Sequence, residues 1–147
     1  MELYYYRDPI GNFGDDLNVW MWDKILQYDL SCYYSEEHTF LGIGTLLSDG
    51  FSQEFGNKPK VIFGTGTGYG TIYSVYQQVK AAKIYCVRGP LTAFIFNLPE
   101  SLVVTDSALL TAEIIQTTHE KSHNTALMLH HLTHQKQGKI WKYLCDQ

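Results

Sequence analysis

Short apolar stretches recur along the chain. Between them lie more polar segments in which apolar residues recur at helical spacing. The clearest is residues 61–63, a continuous apolar run that stops in a loop with glycines at 64, 66, 68 and 70. An uninterrupted apolar run is typical of a strand covered on both faces. Alternation of such strands with helices predicts an α/β fold, in which an open parallel sheet carries helices on both faces.

The same patterns predict the individual elements and their grouping. The predicted strands are Glu2–Tyr6, Thr39–Ile43, Lys60–Phe63, Ile84–Val87, Leu102–Thr105 and Thr125–Leu129. The predicted helices run from Asp15 or Asp16 to Tyr28, over Ser74–Ala82, Pro90–Asn97 and Ser107–Ile115, and from Gly138, with a short helix or turn at Gly50–Phe55. Residues 1–115 are expected to form one domain, residues 116–124 a polar linker, and residues 125–147 the first strand and helix of a second domain.

Composition narrows the function classes. The 147 residues are 45% hydrophobic and 18% charged, which is typical of a folded domain. A formal charge of −4 argues against nonspecific nucleic-acid binding. No run approaches the ~18 apolar residues of a spanning helix, and no signal peptide is recognised, so a cytoplasmic protein without a membrane span is expected. The three cysteines form no metal or redox motif and are expected to be reduced thiols.

Small or polar residues follow five of the predicted strands. In open parallel sheets, ligands collect beyond the carboxyl ends of the strands. Each loop taken singly could be an ordinary turn, but five on one edge predict a binding cleft. The candidate binding residues are Asn12, Asp15, Gly44, Gly64, Thr65, Gly66, Arg88 and Asp106.

The chemistry of these loops leaves alternatives open. The glycine loop matches neither the dinucleotide fingerprint nor the P-loop, so no cofactor is expected, although main-chain phosphate binding stays open. Asp15 either caps a helix or, together with Asn12, binds hydroxyl groups. Arg88 either holds a carboxylate or phosphate, or forms a structural ion pair with Asp106.

Histidines cluster near the end of the chain. His130 and His131 lie at the end of the predicted last strand, where an imidazole can act as general acid or base. No cysteine or carboxylate joins the histidines at a recognised ligand spacing, so no metal site is expected. The alternative interpretation of these histidines is a polar segment between domains.

The order of the motifs resembles that of polysaccharide pyruvyl transferases, over nearly the whole chain. The motifs that carry the resemblance are residues 12–18 (NFGDDLN), 42–45 (GIGT), 63–66 (FGTG), 87–92 (VRGPLT) and 104–110 (VTDSALL). Residues 127–133 resemble the strand that opens the second half of the family, although Leu129 stands where relatives often have proline. The chain therefore resembles the N-terminal half of such an enzyme. The resemblance implies two Rossmann-like domains facing across a cleft, as in GT-B-like glycosyltransferases.

By resemblance, the activity is transfer of pyruvate from phosphoenolpyruvate to two hydroxyls of a saccharide acceptor, giving a ketal. The resemblance implies proton transfer by His130 or His131 and anion binding by Arg88, with Asp106 orienting Arg88. Asn12, Asp15 and Thr65 would line the acceptor side.

The sequence departs from the family in two respects. A doubly anionic donor normally requires several arginines, and this chain has two. The second domain is absent beyond its first strand and helix, so a truncated protein is expected, inactive alone and prone to self-association or dependent on a partner. The alternatives are a non-catalytic sugar- or nucleotide-binding module and a nucleotide-dependent enzyme.

Overall fold

The structure is a computed structural model that describes residues 1–26, 37–116, 125 and 127–145. Within the last helix, the side chains of residues 131, 132, 134, 135, 138, 144 and 145 lie outside the described part. The chain divides into two compact units, Met1–Gln116 and Thr117–Gln147. Each unit is described by itself.

The first unit is built on a parallel sheet. Its described strands are β1 (Glu2–Tyr4), β2 (Thr39–Leu41), β3 (Lys60–Phe63) and β4 (Lys83–Cys86), hydrogen-bonded in the order β1-β2-β3-β4. The helices are α1 (Phe13–Ile25), α2 (Asp49–Ser52), α3 (Tyr73–Lys80) and α4 (Pro90–Ile95), followed by 3₁₀ helices at Glu100–Leu102 and Ser107–Glu113.

Both faces of this sheet are covered. Successive side chains of a strand point to opposite faces. Phe40 and Val61 accordingly pack in one buried cluster with the α1 side chains. Leu41 and Ile62 pack in a second cluster with side chains of α2, α3 and α4. The prediction of an α/β fold, with a parallel sheet between helices, is confirmed.

The predicted strand Leu102–Thr105 is not formed as a strand. Leu102 ends a 3₁₀ helix that follows Pro99, and the pairing that remains is a single parallel bridge between Val87 and Val103. The bridge is held by Val87 N donating to Leu102 O over 2.8 Å and Val104 N donating to Val87 O over 3.3 Å. Because the 3₁₀ turn takes up the first part of the segment, a short bridge is left where an edge strand was expected.

The start of α1 also differs from the prediction. Asn12, rather than Asp15 or Asp16, is the N-cap, and its side-chain oxygen accepts a hydrogen bond from Gly14 N over 3.2 Å. Asp16 accepts a hydrogen bond from Asn12 N in return, over 3.2 Å. Both aspartates therefore lie in the first turn, where the helix dipole favours negative charge. The helix ends at Ile25, where Leu26 is the C-cap in an extended conformation, so it stops before the predicted end near Tyr28.

The second unit contains α5, His131–Cys145. It begins seven residues before the predicted start at Gly138, which lies inside the helix. Of the predicted strand Thr125–Leu129, the described residues, Thr125 and 127–129, form no strand. A strand needs a neighbouring strand for its main-chain hydrogen bonds, whereas a helix satisfies its own. The linker residues 117–124 lie outside the described part. None of the described helices is both long and apolar enough for a membrane span.

Candidate functional site

The carboxyl ends of the four strands bring their loops to one edge of the sheet. Contacts among these loops define a cluster that we term the carboxyl edge. Its residues are Asn12, Asp15, Gly44, Thr45, Thr65, Gly66, Thr67 and Arg88. The loops of all four strands thus contribute to it.

Gly44 lies at the centre of the carboxyl edge. Its φ of +117° suits glycine, and a Cβ there would lie 3.0 Å from an Asp15 carboxylate oxygen. The Gly44 carbonyl accepts hydrogen bonds from Thr65 Oγ1 over 2.9 Å, from Gly66 N over 3.1 Å and from an Arg88 guanidinium nitrogen over 3.4 Å. Asp15 and Arg88 are therefore brought to the same residue from two different loops.

Arg88 joins the loops after β2 and β3. Its guanidinium donates to Thr45 Oγ1 over 2.8 Å and to Thr67 O over 3.3 Å, and a Cβ on Gly66 would lie 2.8 Å from Arg88 Nε. The alternative interpretation of Arg88, an ion pair with Asp106, is wrong, because the Asp106 carboxylate caps the following 3₁₀ helix and accepts from Ala108 N over 2.9 Å. Within the described chain, no carboxylate balances the charge of Arg88.

The carboxylate and amide at the start of α1 form a polar pair. Asn12 Nδ2 donates to an Asp15 carboxylate oxygen over 2.6 Å, and both side chains are partly buried. An amide and a carboxylate held together in this way offer the donors and acceptors that hydroxyl groups require. This pair can recognise a hydroxyl-bearing ligand.

Gly64 and Thr65 are used mainly within the fold. Gly64 has a φ of +84°, and a Cβ there would lie 1.7 Å from Ser107 Oγ, which donates to Phe63 O. Thr65 is fully buried, and its hydroxyl both donates to Gly44 O and accepts from Leu46 N over 3.3 Å. These residues, with Ser107 beside Asp106, hold the loops in place.

Asn18 is a structural residue of this edge that the sequence prediction missed. It is fully buried, its amide oxygen accepts from Ile43 N over 2.9 Å and from Trp22 Nε1 over 3.0 Å, and its nitrogen donates to Ile43 O over 3.1 Å. It ties α1 to the loop after β2. It precedes the buried residues Met21 and Trp22 by three and four positions, and this helical spacing is a signal that could have identified it.

The sequence prediction also missed the structural role of Asp49. Its carboxylate accepts from Thr71 Oγ1 over 2.7 Å and from the main-chain nitrogens of Tyr73, Ser74 and Val75 over 2.8 to 2.9 Å. It therefore caps α3 from a different helix. Loss of solvation raises the pKa of Asp49, but the hydrogen bonds from Val75, Thr71, Tyr73 and Ser74 outweigh it and hold that pKa below its ordinary value.

An open groove adjoins the carboxyl edge and has a volume of about 480 Å³. We term it the tyrosine groove. It is lined by Thr67, Gly68, Tyr69, Gly70, Thr71, Ile72, Tyr73, Leu91 and Ile95. Such a volume falls within the usual range of small-molecule sites.

The two candidate acid–base histidines belong to the second unit. His130 is exposed, and its carbonyl accepts from Thr133 N over 2.9 Å at the start of α5. His131 is the first residue of that helix. Among the described residues, no group of three His, Cys, Asp or Glu side chains is placed to hold a metal ion. His119 and His123 lie outside the described part.

The chain is similar to the succinoglycan biosynthesis protein ExoV of Rhizobium meliloti (strain 1021). The two are 36% identical over 114 residues, which cover 78% of this chain and 34% of the relative. The chain thus spans about a third of the length of this curated relative. No protein-family profile matches the chain. No solved structure matches it.

Proposed function

We propose that this protein takes part in exopolysaccharide biosynthesis. The observation that carries the proposal is the 36% identity to a protein named for succinoglycan biosynthesis, over 78% of this chain. The aligned length of 114 residues is long enough to include most of the carboxyl edge. A role in exopolysaccharide synthesis also suits the polar pair of Asn12 and Asp15, since saccharides present hydroxyl groups.

We further propose pyruvyl transfer as the reaction, supported by the order of five sequence motifs. Two hydroxyl oxygens of the acceptor bond to C2 of phosphoenolpyruvate, and the bond from C2 to the phosphate oxygen breaks. One hydroxyl proton ends on the former methylene carbon, which becomes a methyl group. The other leaves with the phosphate. The reaction therefore needs an acid–base group and a cation for the anionic donor.

In this proposal, each side of the carboxyl edge serves one substrate. Arg88 makes three hydrogen bonds inside the chain, and it holds the phosphate or carboxylate of the donor with its remaining guanidinium N–H groups. Asn12 and Asp15 bind the acceptor hydroxyls. Gly44 and Gly66 leave room for the side chains of Asp15 and Arg88. Gly64, Thr65 and Asp106 shape the edge from inside the fold.

The rest of the proposed machinery lies beyond the carboxyl edge. His130 or His131 transfers the proton to the methylene carbon. The active form has two facing Rossmann-like domains in a GT-B-like arrangement, with residues 1–115 as the first domain, residues 116–124 as a linker and residues 125–147 opening the second.

The test is to incubate the chain with phosphoenolpyruvate and candidate saccharides, and to measure donor binding by calorimetry and phosphate release by a colorimetric assay. We expect saturable donor binding that Arg88→Met weakens by roughly 10- to 100-fold, the usual effect of losing a charge-assisted hydrogen bond. Arg88→Lys should retain part of the binding, and Lys24→Met, at an exposed position near the end of α1, is the charge-matched control. Donor binding that is absent, or unchanged in Arg88→Met, would contradict the proposal.

A second candidate function is a non-catalytic saccharide-binding module. It is favoured by the three hydrogen bonds that Arg88 already makes inside the chain, which give this arginine a structural role. Saturable saccharide binding without donor binding or phosphate release would select the module over the transferase.

A further inference from the structure

The tyrosine groove has no part in the chemistry proposed above. We infer that it binds an uncharged pyranose segment of the acceptor saccharide, next to the sugar that reacts. The inference rests on the proposed role in exopolysaccharide synthesis and adds a second binding position, which makes the protein select an oligosaccharide over a single sugar.

The lining of the groove carries no charged side chain. Its nine residues are glycine, threonine, isoleucine, leucine and tyrosine. The Asp49 carboxylate contacts this segment, and its oxygens accept hydrogen bonds from Thr71 and from the first main-chain nitrogens of α3. None of the lining side chains is a cation, and the N-terminus of α3 is already capped by Asp49, so an anionic ligand would meet a cation only where the groove adjoins Arg88. The lining therefore favours a neutral ligand.

The side chains at the mouth of the groove suit a sugar ring. Tyr69 is 66% exposed and Tyr73 is 85% exposed, and Leu91, which also lines the groove, is 61% exposed. Exposed apolar side chains that gather in one groove are typical of a ligand-binding surface, and tyrosine combines an apolar face with a polar tip. A pyranose has the complementary surface, with C–H groups on its faces and hydroxyls around its rim.

The main chain of the groove provides hydrogen-bonding groups. Within the described chain, the N–H and C=O groups of Gly68, Tyr69 and Gly70 have no protein partner. Three consecutive residues with free donors and acceptors can bind hydroxyls from several directions. The glycines leave this main chain open to a ligand, since no atom lies within 4 Å of a Cβ built on Gly70.

The groove is continuous with the carboxyl edge. A Cβ on Gly68 would lie 3.4 Å from Thr45 Cγ2 and 3.9 Å from an Arg88 guanidinium nitrogen. Thr67 belongs to both regions, since it lines the groove and accepts from Arg88. A saccharide lying along the groove therefore reaches the donor-binding arginine with its next residue.

The experiment is a calorimetric titration of the intact chain with cellotetraose and lacto-N-tetraose, two neutral tetrasaccharides, and with glucose and galactose. We expect at least one tetrasaccharide to bind roughly tenfold more tightly than the monosaccharides. Tyr69→Ala and Tyr73→Ala should each weaken tetrasaccharide binding roughly fivefold, because each removes a stacking face. Tyr143→Ala, which removes a 65% exposed tyrosine from α5, is the matched control and should leave binding unchanged.

The outcomes separate this inference from the proposed function. Tetrasaccharide binding that is unaffected by both groove variants, or absent for every probe, overturns the inference. If Arg88-dependent binding of phosphoenolpyruvate persists in the same samples, the proposed function stands without the groove. Tyr69→Phe provides a further check, since it keeps the ring and should bind the tetrasaccharide as the wild type does.

Discussion

The carboxyl edge and the tyrosine groove lie next to each other in the first unit, yet they differ in the hydrogen bonding of their polar groups. At the edge, Asn18 and Thr65 are fully buried, and both make several internal hydrogen bonds. In the groove, the main chain of Gly68, Tyr69 and Gly70 makes none within the described residues. The edge holds loops together, whereas the groove keeps its donors and acceptors available.

Because of this difference, substitutions in the two regions should differ in their effects on stability and on ligand binding. A change at the edge removes interactions that connect several loops, so it should lower stability as well as ligand binding. Truncation of an exposed side chain in the groove removes a surface that meets solvent, so it should weaken ligand binding with little effect on stability. The predictions below test this contrast.

The largest effect is expected for Gly64→Ala. The added Cβ would lie 1.7 Å from Ser107 Oγ at a φ of +84°, so both the loop and the second 3₁₀ helix must shift. We expect a loss of roughly 4 kcal/mol in the free energy of unfolding, measured by urea denaturation. The control is Gly70→Ala, with a φ of +67° but no atom within 4 Å, which should lose only about 1 kcal/mol. Equal losses for the two variants would contradict the steric account.

The second-largest effect is expected for Asn18→Ala. It leaves Ile43 N, Ile43 O and Trp22 Nε1 without their partner in a buried region. We expect a loss of roughly 3 kcal/mol in unfolding free energy, because unsatisfied buried polar groups are costly. Asn57→Ala, at an exposed position before β3, should change stability by less than ~0.5 kcal/mol. An Asn18 variant as stable as the Asn57 variant would show that α1 does not depend on this link.

Asp49→Asn should have a smaller, pH-dependent effect. Because the pKa of Asp49 is depressed in the folded state, its stabilising contribution is present above the ordinary aspartate pKa and is lost as the pH falls through the depressed value. The urea midpoints of wild type and variant should differ at pH 7 and converge below pH ~4. Asp23→Asn, exposed on α1, is the control. A midpoint difference that persists at low pH would contradict the role of the carboxylate charge.

The smallest effect on stability is expected for Tyr69→Ala. The ring is mostly exposed, so the unfolding free energy should change by less than ~0.5 kcal/mol, while tetrasaccharide binding weakens. Circular dichroism melting curves measured beside the titrations check this. A strongly destabilised Tyr69 variant would mean that the ring belongs to the core and not to a ligand surface.

Local sequence patterns predicted the strands and helices whose signal lies in neighbouring residues of the chain. The continuous apolar run gave β3 the observed bounds, Lys60–Phe63, because a strand buried on both faces leaves a clear signal. The predicted strand at Leu102–Thr105 failed because a 3₁₀ helix after Pro99 takes up Leu102. The start of α5 was missed because the helix extends through Gly138, which the sequence suggested as a beginning.

The grouping of candidate site residues at one edge could be predicted, because parallel strands end together. The hydrogen-bond partners of these residues could not be predicted. An ion pair with Asp106 was one of two interpretations of Arg88, but this arginine bonds to Thr45 and Thr67 on loops that follow other strands. Asp49 caps α3 across more than twenty residues of sequence, so no local motif shows it. Long-range hydrogen bonds of this kind depend on packing between elements, which residue spacing does not encode.

The most direct test of the account is a ¹⁵N-resolved NMR titration of the intact chain, first with phosphoenolpyruvate and then with a neutral tetrasaccharide. We expect the donor to shift the amide signals of Thr45, Thr67 and Arg88, and the tetrasaccharide to shift those of Gly68 to Gly70. Donor-induced shifts that avoid the carboxyl edge, or no shift with either ligand, would contradict the proposal that this edge binds the substrates of a polysaccharide-modifying enzyme.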